Sequence, residues 1–356
     1  MKEKCFFCPP IRRGPVSEVL LHASVWLILA FAFVNGFHDG CNVIATIVSS
    51  RSMEPRRALF LGALGEFAGA VLLGTAVAKT MAGSILNVQL LSALSPDALR
   101  VLILGAVGGA MAWNLVTWFL GLPSSSSHAL IGGLMGAGWI SLGLSAVAVE
   151  KVLRGVAVPL FVSPLAGFLA GFLVFEVLKG FFAQAHSGAR HFFVALQKPS
   201  VLLLAASHGS NDAQKSMGVM LLAVGAAGGA SGHDMEVPLW IVVSCGLAIA
   251  AGMSTGGWRI VKTVGYSIFR MRPVHSFSSQ FAAASVIVGA SLAGGPVSTS
   301  QVVASSVMGV GASRRLGGVR WGVARVILHA WLVTIPVSAA TGAAACWILR
   351  NALIGG

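Results

Sequence analysis

Charged residues are scarce in this 356-residue chain: Asp, Glu, Lys and Arg together make up 10% of it, whereas 56% is hydrophobic. Soluble globular domains carry about 25% charged residues, so this shortage excludes an ordinary soluble protein, and the apolar content excludes a disordered one. Apolar runs recur along the chain and reach about 20 residues, the length that a bilayer-spanning helix needs. We therefore predict an all-α integral membrane protein with roughly ten to twelve transmembrane segments, some of them half-crossings of the lipid bilayer.

Acidic residues are the scarcest charged type, with 11 Asp and Glu against 24 Lys and Arg. The resulting net charge of +13 is also typical of nucleic-acid-binding proteins, but here the basic residues lie in short loops between apolar runs. That placement is the positive-inside pattern of a multi-pass protein. We predict a location in the cytoplasmic (inner) membrane and no nucleic-acid partner.

Cysteine is also rare, and the pair Cys5 and Cys8 lacks the second pair that would complete a metal site. We interpret the five cysteines as free thiols and predict no metal and no cofactor. No small-residue cleavage site follows the basic N-terminus, so residues 1–18 are predicted to be a tail before the first span.

Two pairs of similar motifs indicate an internal duplication. The stretch GLPSSSSHALIGGLMGAG aligns with GGPVSTSQVVASSVMGVG, and GFHDGCN aligns with GSNDAQK. Asp39 and Asp212 are 173 residues apart, and so are Pro123 and Pro296. Two unrelated short matches have no reason to share one offset, so the chain consists of two homologous halves.

The charges of equivalent loops predict how the halves are oriented. The loop after the first Asp motif contains Arg51, Arg56 and Arg57, whereas the equivalent loop in the second half contains Asp234 and Glu236 and no Lys or Arg. Equivalent loops therefore face opposite sides of the membrane, which predicts inverted-topology repeats, the arrangement of many secondary transporters. The predicted parts are the tail 1–18, the first transmembrane repeat 19–178, a cytoplasmic connecting segment 179–199 and the second repeat 200–350.

Asp39 and Asp212 are acids within apolar segments, at the same place in each half. Ionisable groups are costly there and mark an ion or substrate path by default. We expect their glycine-rich surroundings to unwind the helix, so that carboxylate and carbonyl oxygens bind Na⁺, or the carboxylate carries a proton. The alternative is that each aspartate only caps the N-terminus of a half-helix.

Three further charged residues lie within or next to apolar segments. Glu66 is in mid-span and is assigned to cation coupling, in a supporting or proton-linked role. Glu176 precedes Lys179 by three residues, so we expect a pair on the helix surface. Lys215 lies one helical step beyond Asp212, and it either pairs with that aspartate or binds an anion directly.

In each half a proline follows a glycine within two residues and precedes a hydroxyl cluster: Ser124 to Ser127 in the first half and Ser298, Thr299 and Ser300 in the second. The proline ends one apolar run and a small-residue helix begins after the hydroxyls, which predicts two half-helices meeting at a re-entrant break. A helix N-terminus offers free N–H groups and a positive dipole end, and this combination suits an anion, phosphate above all. Ordinary capping explains one or two serines easily but four consecutive ones poorly.

The segments NGFHDGCNVIAT, WNLVTWFLGLPSSSSHALIGGLMGAG, SHGSNDAQKSMGVM, GGWRIVKTVG, GPVSTSQ and RWGVARVILHAWLVTIPVSA resemble, in this order, the signature segments of the PiT inorganic phosphate transporter family. The likeness covers nearly the whole chain from about residue 25 to 349. The resemblance implies a symporter for inorganic phosphate coupled to Na⁺ or H⁺, with one site between two inverted repeats.

Carried over residue by residue, the resemblance implies a cation and phosphate site that contains Asp39, Asp212, Asn42 and Asn211. It implies that two sets of hydroxyls face each other around the phosphate: Ser125, Ser126 and Ser127 opposite Ser298, Thr299 and Ser300.

This chain departs from the family pattern at three positions. Gln301 stands where the family more often has His, Gln280 stands where it often has an acid, and Glu66 is often amide-bearing in short bacterial relatives. Relative to the family pattern, one acidic group is lost at Gln280 and one is gained at Glu66. These departures leave open which coupling ion and which anion the protein uses.

The sequence leaves other interpretations open. A sulfate transporter of the same fold is the nearest alternative, and a passive anion channel is another. An intramembrane serine hydrolase could use serines and histidines of PSSSSH and SHGSND, but symmetric hydroxyl clusters do not fit one nucleophile with one base. We predict that the protein is not an enzyme, and the sequence also allows a homo-oligomer.

Overall fold

The computed structural model describes residues 15–84, 86, 90–91, 93–143, 150, 158–184, 188–225 and 236–353. Most of the predicted N-terminal tail, including Cys5 and Cys8, lies outside these residues, and so does Asp234. Cys41, Cys245 and Cys346 are free, buried thiols, as predicted.

The described residues are almost entirely helical and contain no β-strand. A π-helical turn, Lys262–Ser267, and a 3₁₀ turn, Leu316–Gly318, supplement the α-helices. The α-helices in chain order are α1 (Pro15–Ser49), α2 (Pro55–Leu72), α3 (Ala76–Ser84), α4 (Pro96–Leu120), α5 (Ser126–Leu142), α6 (Val158–Phe181), α7 (Gly188–Ala195), α8 (Gln197–Gly225), α9 (Leu239–Thr255), α10 (Trp258–Val261), α11 (Pro273–Leu292), α12 (Thr299–Arg314) and α13 (Trp321–Leu353).

Four helices of the described chain are long and apolar enough to cross a bilayer: α1, α4, α6 and α13. Two sharply bent pairs, α2 with α3 and α9 with α10 and its π-helical extension, raise that number to six if each pair is one span. Helices α5, α8, α11 and α12 are shorter or richer in polar residues. Counting these four as crossings or half-crossings gives the lower end of the predicted ten to twelve.

The packing of the helices follows the 173-residue repeat. Helices α1, α4, α5 and α6 of the first half correspond to α8, α11, α12 and α13 of the second. The last helix of each half packs on the half-helix of the other, α6 along α12 and α13 along α5. The equivalent residues Ser125 and Ser298 share a hydrogen bond of 2.8 Å, so a pseudo-two-fold axis passes between them. The fold class is therefore the predicted one, an all-α membrane protein of two inverted-topology repeats.

Glycines bring the helix backbones into direct contact. A Cβ atom added to Gly342 of α13 would lie 2.6 Å from the carbonyl oxygen of Gly133 in α5. Lipid provides no hydrophobic force between helices, so such close packing supplies much of their association.

We expect Gly342→Ala to lower the thermal stability of the purified protein, because overpacking of this kind costs about 1–3 kcal/mol. The matched control is Gly289→Ala in α11, where an added Cβ meets no atom within 4 Å. Thermal unfolding followed by tryptophan fluorescence measures both variants. Equal melting temperatures for the two would contradict the close approach of α5 and α13.

Candidate functional site

The first hydroxyl cluster begins a half-helix, as predicted. Helix α4 ends at Leu120, and Gly121 adopts a left-handed conformation with φ of 68° that turns the chain out of the helix. Helix α5 then starts at Ser126 with Ser125 as its N-cap, whose Oγ accepts a hydrogen bond of 3.2 Å from the His128 amide. The serines thus lie where backbone N–H groups are free.

The second cluster repeats this geometry. Helix α11 ends at Leu292, and Gly294 has φ of 71°. Ser298 is the N-cap of α12, and its Oγ accepts a bond of 3.4 Å from the Gln301 amide. The predicted re-entrant breaks are confirmed in both halves, and each exposes a helix N-terminus to the protein interior.

The two aspartates do not lie at helix breaks, so this prediction is wrong. Asp39 is inside the continuous helix α1 and Asp212 is inside the continuous helix α8. The neighbouring glycines have a different purpose, namely close helix packing. A Cβ on Gly36 would lie 2.0 Å from the Ile249 carbonyl oxygen, and a Cβ on Gly209 would lie 2.1 Å from the Glu66 carbonyl oxygen.

Each aspartate accepts a hydrogen bond from the first residue of the half-helix in its own half. Asp212 accepts from the Thr299 hydroxyl at 2.9 Å, and Asp39 accepts from the equivalent Ser126 hydroxyl. The Ser126 amide also points at the Asp39 carboxylate, at 3.4 Å. All four side chains are buried. The capping alternative therefore holds in a modified form, because Asp39 contacts the N-terminus of another helix rather than that of its own.

The two half-helix N-termini meet at the pseudo-two-fold axis. Besides the bond between Ser125 and Ser298, the Ser300 hydroxyl donates to the Ser124 carbonyl at 2.9 Å. In the reciprocal contact the Ser127 hydroxyl reaches the Val297 carbonyl at 3.5 Å. Two positive helix ends are thereby directed at one small region lined by hydroxyls, a combination of donors that suits an oxyanion.

Lys215 pairs with Asp212, which is the first of the two roles considered for it, and it also contacts the first hydroxyl cluster. Its Nζ lies 2.5 Å from the Asp212 carboxylate, 2.5 Å from the Ser127 hydroxyl and 2.7 Å from the Val297 carbonyl. The lysine is 1% exposed, so the ammonium joins the second aspartate to the first hydroxyl cluster in the protein interior.

The first half has Asn42 where the second has Lys215, and here the pseudo-symmetry is broken. Asn42 is fully buried, and neither its amide nitrogen nor its amide oxygen has a hydrogen-bond partner among the described residues. A buried amide with no partner costs free energy, so this position is suited to a ligand.

Glu66 belongs to a buried group with His208 and Asp212. The His208 Nδ1 lies 2.9 Å from the Glu66 carboxylate and its Nε2 lies 3.2 Å from the Asp212 carboxylate. These contacts are within ion-pair distance but are poorly aligned for hydrogen bonds. Glu66 therefore connects to the aspartate of the opposite half through a histidine.

The Asn211 amide nitrogen bonds to groups outside the hydroxyl cluster, and its amide oxygen has no hydrogen-bond partner among the described residues. Its amide nitrogen donates to the Ser291 hydroxyl at 2.9 Å and to the Gly295 carbonyl at 3.2 Å. In this structure Asn211 holds the chain segment that leads into α12. The expected surface pair of Glu176 and Lys179 is present at 2.6 Å.

Sequence reasoning missed the role of His38 beside the first aspartate. His38 Nδ1 lies 2.9 Å from the Asp39 carboxylate, and its Nε2 lies 3.1 Å from the Thr117 hydroxyl. Asn35 is a second omission, because its amide oxygen accepts from Ser126 at 3.0 Å. The i, i+4 spacing of Asn35 and Asp39 was the available signal, since it puts both on one helix face.

Within the described part of the chain, no group of three or more His, Cys, Asp and Glu side chains is arranged to hold a metal ion. The site instead combines hydroxyl, amide and ammonium donors for an anion with carboxylates that can balance cations.

The sequence profile of the phosphate transporter family matches residues 35–342. A probable low-affinity inorganic phosphate transporter of Bacillus subtilis (strain 168) is 40% identical over 337 residues, which cover 94% of this chain and 99% of that protein. The chain belongs to the phosphate transporter family.

Two further comparisons agree with membership of the phosphate transporter family. A probable low-affinity inorganic phosphate transporter of Rhizobium meliloti (strain 1021) is 39% identical over 321 residues, or 90% of this chain and 93% of that protein. A solved structure of a sodium-dependent phosphate transporter is 26% identical, has a TM-score of 0.85, and covers 93% of this chain and 99% of its own.

Membership of the phosphate transporter family also decides between the protein classes considered above. Its members are transporters and not enzymes, so the prediction that this protein is not an enzyme is confirmed. The contact of His38 with the Ser124 hydroxyl at 3.4 Å brings together a serine, a histidine and Asp39, but it belongs to the transporter's buried polar network.

Proposed function

We propose that this protein moves inorganic phosphate across the cytoplasmic membrane as a secondary active symporter coupled to Na⁺ or H⁺. The observation that carries this proposal is the meeting of two hydroxyl-bearing helix N-termini on the pseudo-two-fold axis, each bonded to a buried aspartate. The names of the relatives, low-affinity inorganic phosphate transporter and sodium-dependent phosphate transporter, support it.

In this proposal the anion binds between the two half-helices. The phosphate oxygens then accept hydrogen bonds from the hydroxyls in place of the present partners. They also lie at the positive N-terminal ends of α5 and α12. Lys215 supplies one full positive charge at the edge of this region, next to Ser127. The proposed phosphate ligands are Ser125, Ser126, Ser127, Ser298, Thr299 and Ser300, with Asn42, Asn211 and Lys215 beside them.

The proposed cation holders are Asp39, Asp212 and Glu66. A doubly charged anion near the middle of the bilayer needs accompanying positive charge, since each uncompensated charge costs at least several kcal/mol there. Asp212 already has an ammonium 2.5 Å away, whereas the first half has the neutral Asn42 at the position of that lysine. We assign the exchangeable cation to the Asp39 side, where amide and carboxylate oxygens suit Na⁺ and the carboxylate can instead take a proton.

Alternating access follows from the exchanged packing of the halves. Since α6 packs on α12 and α13 packs on α5, rocking one half against the other moves both half-helix N-termini relative to these long helices. The site stays on the pseudo-two-fold axis while it opens first to one side of the membrane and then to the other.

Phosphate is preferred to sulfate because the site contains carboxylates close to the hydroxyls. Protonated phosphate can donate a hydrogen bond to an Asp39 or Asp212 oxygen, whereas sulfate carries no proton at neutral pH and would be repelled there. The passive channel is disfavoured for a related reason, since buried acids repel an anion that travels without a cation.

Labelled phosphate uptake into proteoliposomes tests the proposal. We expect accumulation above the external concentration when an inward Na⁺ or H⁺ gradient is imposed, inhibition by unlabelled phosphate, and little inhibition by sulfate at the same concentration. Equal inhibition by sulfate would identify the alternative substrate. Uptake that only equilibrates, with neither gradient having an effect, would identify a channel.

A further inference from the structure

A second concentration of positive charge lies outside the buried site, in a surface cavity of about 880 Å³. It is formed where α6 ends, where α7 and α11 begin and where α12 ends. Five basic residues line it: Lys179, Arg190, Arg270, Arg272 and Arg314.

The four arginines have no acidic partner within the described part of the chain. Glu176, which precedes Lys179 on α6, pairs with that lysine at 2.6 Å and accepts a hydrogen bond of 2.6 Å from the Ser313 hydroxyl. All four arginine side chains are exposed. Like charges in one cavity repel each other, and an anion bound between them relieves that repulsion.

Aromatic side chains adjoin this basic cavity. Phe182 and Phe193 line it, and their rings are in edge contact with centroids 5.0 Å apart. Phe181, which is 81% exposed, and Phe192, which is 49% exposed, extend the apolar surface outward. Phe181 is also the last residue of the candidate span Phe161–Phe181, so the cavity lies at the level of a membrane surface.

The cavity is separate from the proposed transport site. Thr299 at the start of α12 bonds to Asp212, whereas Arg314 at the end of α12 lines the cavity. Fifteen residues of helix separate the two positions by about 22 Å at about 1.5 Å per residue.

We propose that this cavity binds the phosphate-bearing headgroup of an anionic phospholipid, with the acyl chains against Phe181 and Phe192. Guanidinium groups match phosphate oxygens in a two-pronged geometry, and basic pockets at the membrane surface recognise anionic headgroups. The exposed phenylalanines favour a lipid over free phosphate, because acyl chains can pack against their rings and a soluble anion cannot. The proposal does not depend on the transported substrate.

The test uses the full-length protein in detergent micelles and measures phosphatidylglycerol binding by native mass spectrometry, with phosphatidylcholine for comparison. The cavity variant is Arg190→Gln/Arg272→Gln/Arg314→Gln. The matched control, Arg56→Gln/Lys262→Gln/Arg325→Gln, removes the same charge from exposed residues that do not line the cavity. We expect phosphatidylglycerol affinity to fall on the order of 100-fold in the cavity variant and to change little in the control.

Two outcomes would overturn the proposal. One is equal phosphatidylglycerol binding by the cavity variant and the control. The other is displacement of phosphatidylglycerol by inorganic phosphate at a concentration similar to that of the lipid, with no such displacement in the cavity variant. That result would indicate a site for a soluble anion. Phosphate uptake in pure phosphatidylcholine liposomes verifies that the cavity variant is folded. If it is not, single Arg272→Gln is expected to bind phosphatidylglycerol about fivefold more weakly.

Discussion

Gradient-driven phosphate uptake is expected to fall on the order of 100-fold in Asp39→Asn, whereas the buried hydroxyls stay in place. The substitution keeps the size of the side chain and its contact with Ser126 but removes the negative charge that holds the exchangeable cation. Without that cation, phosphate must enter the membrane interior with its charge uncompensated. Initial rates of labelled phosphate uptake into proteoliposomes, with and without the gradient, measure the effect.

The control for Asp39→Asn is Glu54→Gln, which removes one negative charge from an exposed loop position. Asp39→Glu is a second useful variant, because it keeps the charge and should retain measurable gradient dependence. Wild-type gradient-driven uptake in Asp39→Asn would refute the assignment of the coupling cation to this aspartate. Loss of uptake without any change in gradient dependence would instead indicate damage to the anion site.

Asp212→Asn should have a different consequence, since it leaves the Lys215 ammonium buried without its carboxylate. Breaking such a pair costs about 3–5 kcal/mol of stability, so reduced yield of folded protein is expected together with lost uptake. The difference between the two aspartates follows from one position where the repeats differ, which is Asn42 in the first half and Lys215 in the second.

Lys215→Asn is expected to make phosphate uptake more steeply dependent on cation concentration. The substitution gives the second half the residue type that the first half has at Asn42, and it removes the ammonium that lies 2.5 Å from the Asp212 carboxylate. An additional Na⁺ or H⁺ must then enter with each phosphate, so the Hill coefficient for the coupling cation should rise towards one more ion. Uptake at low cation concentration should fall at least tenfold, since leaving the buried Asp212 carboxylate without its ammonium costs more than about 1.4 kcal/mol.

Measured Hill coefficients for Na⁺ and for H⁺ in wild type and variant decide this prediction. Lys198→Asn is the matched control, because it is the same substitution at an exposed position of the same helix, α8. If Lys215→Asn accumulates phosphate with an unchanged cation dependence, Lys215 does not replace a coupling ion. If Lys215→Asn accumulates no phosphate at any cation concentration, the main role of the lysine is to bind the anion.

Much of the architecture and of the site was predictable because it rests on spacing and side-chain type. Pro123 and Pro296 follow glycines at a common offset, and local chemistry alone requires a helix to end there and another to begin at the hydroxyls. Asp39 and Asp212 were identifiable because carboxylates inside apolar runs are too costly to be incidental.

The tertiary structure decided which groups meet. Glycines near Asp39 are compatible with unwinding or with close packing, and only the position of Ile249 in α9 shows that they serve packing. Likewise, 88 residues separate Lys215 from Ser127, so no local pattern could show that they touch. Through its own residues the sequence determined a duplicated membrane protein with two helix N-termini and two buried acids. The folding of one half onto the other decided that these groups form one asymmetric site, because contacts between distant segments depend on packing and not on spacing.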